Sequence, residues 1–107
     1  MTRNPTEDPD VVHDTDEHRY EVYSGSDVAG FTSYRPNGGS VTFTHTEIKP
    51  VFQGKGLAAR LIKAALDDVR RRQTTAIPVC PFVVDYIRHH PDYLDLVEEV
   101  HRDVVTP

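Results

Sequence analysis

The sequence predicts an α/β (α+β) domain: an antiparallel meander of three strands, then a helix, a fourth strand and a C-terminal helix. Three observations carry this. Residues 19–48 hold alternating, β-rich stretches divided by short Gly- and Asn-bearing turns. Residues 55–72 carry apolar side chains at helical spacing. Between them lies a hexapeptide with two glycines, Gln53-Gly54-Lys55-Gly56-Leu57-Ala58.

The elements follow in order. Tyr20 and Val22 alternate with Glu21, which predicts a strand over Arg19–Ser24, and Gly25-Ser26-Asp27 turns into a second over 28–35. Pro36-Asn37-Gly38-Gly39 marks the next turn. Over Ser40–Ile48, strict alternation places Val41, Phe43, His45 and Glu47 on one face and Thr42, Thr44, Thr46 and Ile48 on the other. Pro50 ends that strand. In the helix, Leu57, Ala58, Leu61, Ile62, Ala65, Leu66 and Val69 form the apolar stripe, and Asp67–Arg71 and Asp68–Arg72 are expected as ion pairs on its wet side. Residues 74–79 read as a strand whose Pro78 confines it to an edge or to a place where strands part. Cys80 is expected to cap a short helix over 82–89 that starts at Pro81, with a further turn or two over 91–99.

The chain has 107 residues, enough for one domain with a single core. Its net charge of −5 is concentrated at one end: residues 1–18 carry six acids against Arg3, and the remainder holds eleven acids and eleven Lys/Arg. Residues 1–17 are therefore expected as a disordered acidic leader, 18–101 as the domain and 102–107 as a tail. A neutral domain argues against nucleic-acid binding. One Cys precludes an intrachain disulfide and suits a reducing compartment. No apolar run approaches the roughly 18 residues a membrane span needs, and no signal peptide is apparent. The expectation is a cytoplasmic protein, monomeric or weakly dimeric, without nucleic-acid or membrane partners.

A strand, a glycine loop and a helix N-terminus are suited to a pyrophosphate, because unpaired first-turn amides and the helix dipole favour an anion. The hexapeptide fails the P-loop spacing and lacks the third glycine of the dinucleotide fingerprint, since position 59 is Ala. It matches the acetyl-coenzyme A loop of the GNAT N-acetyltransferases, Gln/Arg-x-x-Gly-x-Gly/Ala, at every fixed position. Together with His45-Thr46-Glu47, Cys80-Pro81-Phe82, Tyr86 and His90-Pro91-Asp92-Tyr93, it resembles a subgroup of very small, single-domain GNAT proteins over about residues 17–98.

The resemblance implies a compact GNAT-like fold that binds acetyl-CoA or CoA and transfers the acetyl group to a small-molecule or protein amine. The acceptor is left open. The pyrophosphate falls to the backbone of Gln53, Gly54, Lys55, Gly56, Leu57 and Ala58, with Lys55, Arg60 and Lys63 as further cations or as solvated helix charges. In that fold the pantetheine arm lies like an extra strand where the third strand splays from the fourth, between Ile48 on one side and Pro78, Val79 and Cys80 on the other. Cys80 is read as a nucleophile, a cofactor contact or a small buried side chain. Tyr86 is the candidate acid for the leaving thiolate, or else a core residue. His45 and Glu47 are candidate general bases, against a buried, hydrogen-bonded histidine. His89-His90 does not make a metal site, since neighbours on a helix diverge and no ligand set completes it. A CoA-binding module without catalysis is the alternative, and a purely structural interaction domain is a third.

Overall fold

The computed structural model describes residues 3–106. Its sheet contains β1 (Arg3–Pro5), β2 (Val11–Asp14), β3 (Arg19–Ser24), β4 (Asp27–Asn37), β5 (Ser40–Ile48) and β6 (Thr75–Pro78), adjacent in that order. The first five strands are antiparallel, and β6 joins β5 in parallel. The parallel pair is bridged by α1 (Leu57–Arg71), beside which packs α2 (Pro81–His89). Two 3-10 segments, Pro91–Leu96 and Glu99–Val104, follow. The expected meander is thus β3–β5, and the expected edge strand is β6.

The apolar stripe of α1 does what its spacing requires. Leu57, Leu61, Ile62, Ala65, Leu66 and Val69 are buried among Tyr20, Val22, Ala29 and Phe43 from the sheet and Val83 and Ile87 from α2. Gln73, at φ 60°, ends the helix in the left-handed region, and Thr74 N–H returns to the Val69 carbonyl. Among the described residues no helix is long and apolar enough to cross a membrane.

The acidic leader is not disordered over its described residues. Met1 and Thr2 lie outside them, but residues 3–5 and 11–14 are strands. Val11 pairs with Val22 and is buried, and Tyr23 N–H donates to the Asp10 carbonyl at 2.8 Å. The acids find their cations on α1. Arg60 donates to both carboxylate oxygens of Asp8, at 2.8 and 3.1 Å, and to Asp10 at 2.9 Å, while Arg71 lies 3.5 Å from Glu7. Burial pushes the Asp8 carboxyl up, but the Arg60 hydrogen bonds and the Asp10 amide outweigh it and hold the group below its ordinary value. The expected tail also packs: residues 99–104 form a 3-10 segment and Val105 is buried, with Pro107 outside the described residues.

The leader also changes the environment of Asp68. Expected on the wet side of α1, it is only 2% exposed, because β2 and β3 lie over it. Tyr20 donates to it at 2.6 Å, Arg72 Nε donates at 2.8 Å, and Arg71 donates to its other oxygen. His13 Nδ1 stands 3.4 Å away without a hydrogen-bond partner, its ring stacked on Tyr20 and its Nε2 2.5 Å from the Tyr34 hydroxyl. Burial alone would raise the Asp68 carboxyl. The neighbouring His13, Tyr20 and Arg72 reverse the sign and hold it well below the usual carboxylate range.

A folded-state value below the unfolded one stabilises the fold in full above the ordinary carboxylate value of 3.8, and that contribution declines below it and is gone only once pH falls through the lowered folded value. Asp68→Asn should therefore cost about 3 kcal/mol at pH 7, and about 1 kcal/mol less at pH 3. Urea unfolding at pH 7 and at pH 3 checks this; equal losses at both would show that the charge is not what matters. A second expectation concerns Gly30, which pairs with Ile48 at the end of β5. A Cβ there would sit 2.4 Å from the Glu47 carbonyl oxygen and from Ile48 Cδ1. Gly30→Ala should lose about 1–3 kcal/mol in the same assay.

Candidate functional site

The site begins where β5 leaves β6. Their pairing covers Ser40 to Phe43, opposite Thr75 to Pro78. The Phe43 carbonyl then accepts both the Val79 amide, at 3.1 Å, and the Cys80 amide, at 2.9 Å, which are the last backbone links between the two segments among the described residues. Beyond Phe43, residues 44–48 have a strand neighbour on the β4 side alone among the described residues. Pro78 is the last paired residue of an edge strand, where its missing N–H costs least.

A β-bulge marks the same point. Ser33 faces His45 and Tyr34 faces Phe43, so Thr44 is the extra residue. One inserted residue reverses the facing of everything after it. Phe43 is buried in the core, and so are Thr46 and Ile48. His45 and Glu47 therefore do not share a face with Phe43, as strict alternation had them. Their side chains are 61% and 59% exposed and lie 3.3 Å apart. The buried-histidine reading does not hold; the Phe31 ring flanks His45 at 5.9 Å.

After Ile48 the chain turns through a 3-10 segment at Pro50–Phe52. Gln53 donates its side-chain amide to the Ile48 carbonyl at 3.1 Å, tying the loop to the end of β5. Gly54 and Gly56 sit at φ 80° and 74°, a region costly for any residue with a Cβ. Gly56 is the N-cap of α1, which has no side-chain cap, and a Cβ on either glycine would meet nothing within 4 Å. The first-turn amides of α1 have no intrahelical acceptor, so they and two bare glycines face open space. Lys55 Nζ lies 5.9 Å from the centre of the Phe52 ring. Arg60 and Lys63, the other two cations considered for phosphates, are held in ion pairs, the first with Asp8 and Asp10, the second with Asp67 at 2.9 Å.

Loop and splayed strand enclose a cleft of about 420 Å³. One wall is Thr46, Glu47 and Ile48; the loop contributes Phe52, Gln53, Gly54 and Gly56; Leu57, Ala58 and Phe82 complete it. A hollow of about 360 Å³ adjoins it across Ala58 and Phe82 and is lined by Ile62, Asp85, Tyr86, His89 and His90 among others. Tyr86 thus lines the neighbouring hollow and not the cleft. It is largely buried, stacked on His90 with ring centres 3.9 Å apart, and burial pushes its hydroxyl above the ordinary value. Val79 is 60% exposed and lines a different depression with Arg35, Thr42 and Thr44, so it does not form a wall of the cleft.

Cys80 takes the N-cap position of α2, followed by Pro81 as expected, yet its side chain does not cap the helix. It is 1% exposed, and its thiol donates to Thr46 Oγ1 at 3.1 Å. Thr46 Oγ1 is in turn 2.8 Å from Thr32 Oγ1. The alternation had set Thr46 on the face opposite Phe43 and given it no role; the bulge turns it to the buried side, and its partners come from β4 and the N-cap of α2, distant in sequence. Phe52 and Phe82 were not anticipated as walls either, although they flank the two motifs that were recognised.

Comparison with known proteins gives the family and the fold. A family model described as GCN5-related N-acetyl-transferase matches residues 19–96. Protein NATD1 of Xenopus tropicalis is 33% identical over 61 residues, 55% of this chain and 56% of that protein. Protein NATD1 of mouse and of human are each 33% identical over 60 residues, 54% of this chain. The alignments thus span about half the length of these curated relatives. An NMR structure of a GCN5-like candidate N-acetyltransferase from Staphylococcus aureus superposes with a TM-score of 0.60 over 81% of this chain and 90% of that one, at 20% identity. The fold is therefore that of a GCN5-like protein, and the chain belongs to the GCN5-related N-acetyltransferase family.

Proposed function

We propose that the chain is an acetyl-CoA-dependent N-acetyltransferase acting on a primary amine. The cleft carries this reading: it joins an unpaired strand edge to a helix N-terminus behind two glycines in the left-handed region. A pyrophosphate suits the glycine loop and first-turn amides, where no Cβ intrudes. A pantetheine arm, with its amides, suits the free edge of β5 as an added strand. Lys55 is the cation of this loop for phosphate oxygens. When bound, acetyl-CoA supplies a thioester carbon open to an amine nucleophile.

The chain's own groups supply the rest. Glu47 borders the cleft and is paired with His45 on the solvent side. Together they take the proton that the attacking amine must lose, a transfer worth about 10²–10⁴ in rate. Val79 and Tyr86 have no part in this reading, because neither lines the cleft. The acceptor enters from the solvent side of β5, where His45 and Glu47 stand exposed.

Thermal unfolding with acetyl-CoA, and with ATP as the control, tests the cofactor. Ligand at about 100 times its Kd should add roughly 2.7 kcal/mol of stability. Gly56→Val should fold at a cost of about 1–2 kcal/mol for its left-handed backbone and lose the stabilisation by acetyl-CoA. An unchanged shift in that variant would remove the loop from the site. Glu47→Gln should keep the shift and lower kcat about 100-fold. Full stabilisation without transfer to any amine offered would favour a CoA-binding module instead.

A further inference from the structure

Among the described residues that line the cleft, none is the tyrosine acid that the resemblance implies, since Tyr86 lines the adjoining hollow. We propose that a buried chain, Thr32–Thr46–Cys80, supplies the acid for the leaving sulfur: Thr46 is the proton donor at the cleft, and Cys80 replenishes Thr46 from behind. This deepens the reading above and rests on it.

The relay places Thr46 Oγ1 between two polar neighbours; either hydroxyl of the threonine pair can donate to the other, and the relay uses the arrangement in which Thr32 donates. Thr46 Oγ1 accepts from Cys80 Sγ at 3.1 Å and lies 2.8 Å from Thr32 Oγ1. A hydroxyl oxygen has two lone pairs and one hydrogen. With Cys80 and Thr32 both donating, the lone pairs are filled and one tetrahedral direction is left for Thr46's own hydrogen. Thr46 is the member of the chain that borders the cleft, while Cys80 does not line it. A cross-strand pair of threonines is by itself an ordinary stabilising contact. What packing does not require is a third polar atom, a thiol at the N-cap of α2 that leaves its own helix uncapped to bond Thr46.

The transfer balances without any further reactant. As the acyl carbon–sulfur bond of the thioester breaks, the departing sulfur keeps the electron pair and takes the hydrogen of Thr46 Oγ1. The Cys80 S–H proton moves to Thr46 Oγ1 in its place. Cys80 is left as a thiolate beside the N-terminus of α2, where the helix dipole favours a negative charge. It regains a proton from water in the cleft through Thr46, the member of the chain that borders it, while the proton lost by the amine leaves through Glu47. No covalent bond forms to Cys80, so a cysteine 1% exposed takes part without touching substrate. In this scheme Thr46 is catalytic, and Cys80 and Thr32 act through it.

The test uses the full-length chain with Thr46→Val, Thr46→Ser, Cys80→Ala and the Thr46→Val/Cys80→Ala double variant. Because the chain has one cysteine, its infrared S–H stretching band reports Cys80 alone, with no substrate present. Thr46→Val should move that band to the frequency of a thiol with no acceptor, and Thr46→Ser should leave it in place. In acetyl transfer to a panel of primary amines, Thr46→Val and Cys80→Ala should each lower kcat about 100-fold with KM for acetyl-CoA unchanged. The double variant should fall no lower than either single one, and Thr46→Ser should restore the rate. An unmoved S–H band in a folded Thr46→Val, a near-normal kcat in that variant, or losses that multiply in the double variant would each overturn the relay. A wild type that gains no stability from acetyl-CoA, or binds it and acetylates nothing, would instead overturn the functional reading and the relay with it.

Discussion

The Phe43 carbonyl oxygen accepts two amides, from Val79 and Cys80, and the rest of the site is arranged around that junction. On one side of it, β5 and β6 are paired and the sheet is continuous. On the other, the bulge at Thr44 turns β5 away from its neighbour. A strand edge is normally a liability, because its free amides and carbonyls invite another chain. Here the free edge is five residues inside the fold, under Phe82 and the glycine loop, where a second protein strand has little access but an extended ligand arm has room. The same junction sets the start of α2, because the Cys80 amide that it holds belongs to the helix's N-cap.

Buried polar groups divide between the two ends of the molecule and are handled differently. Near the end of α1, Asp68 is a full charge, kept ionised by Tyr20 and by Arg71 and Arg72 from its own helix. Such a group ties the N-terminal strands to the helix, since it is costly to leave alone. Near the cleft the buried groups are neutral hydroxyls and a thiol, satisfied by one another. Neutral donors can exchange roles without moving their heavy atoms. A rigid charged anchor and a chain of reversible donors therefore sit in one core.

Much of this was legible in the residues. Apolar spacing found α1 to within two residues at its start, the two glycines located the loop, and Cys80-Pro81 marked the start of α2. Pro78 announced the edge strand. What could not be read depends on residues far apart in the chain. Counting acids made residues 1–17 look unfoldable, because the cations that pair with Asp8, Asp10 and Glu7 are fifty or more residues away. Asp68 looked solvated for the same reason: β2, one of the two strands that lie over it, was not expected to exist. The bulge is subtler. Nothing in Thr42-Phe43-Thr44-His45 says that Thr44 is the surplus residue, and a single surplus residue moves His45 and Glu47 from core to solvent.

The folded leader has a consequence for how much of the chain is needed. The family match starts at residue 19, which suggests a natural place to cut. Yet β3 is an interior strand, and β2 is what covers its outer side. A chain trimmed to residue 19 would present that side as a new sheet edge, beside buried Tyr20 and Val22, and would leave Arg60 without its two aspartates. Such an edge is a template for a second trimmed copy. The acidic segment is thus a cover as well as a strand pair: with β2 in place, that side of β3 is an interior seam and not an open edge.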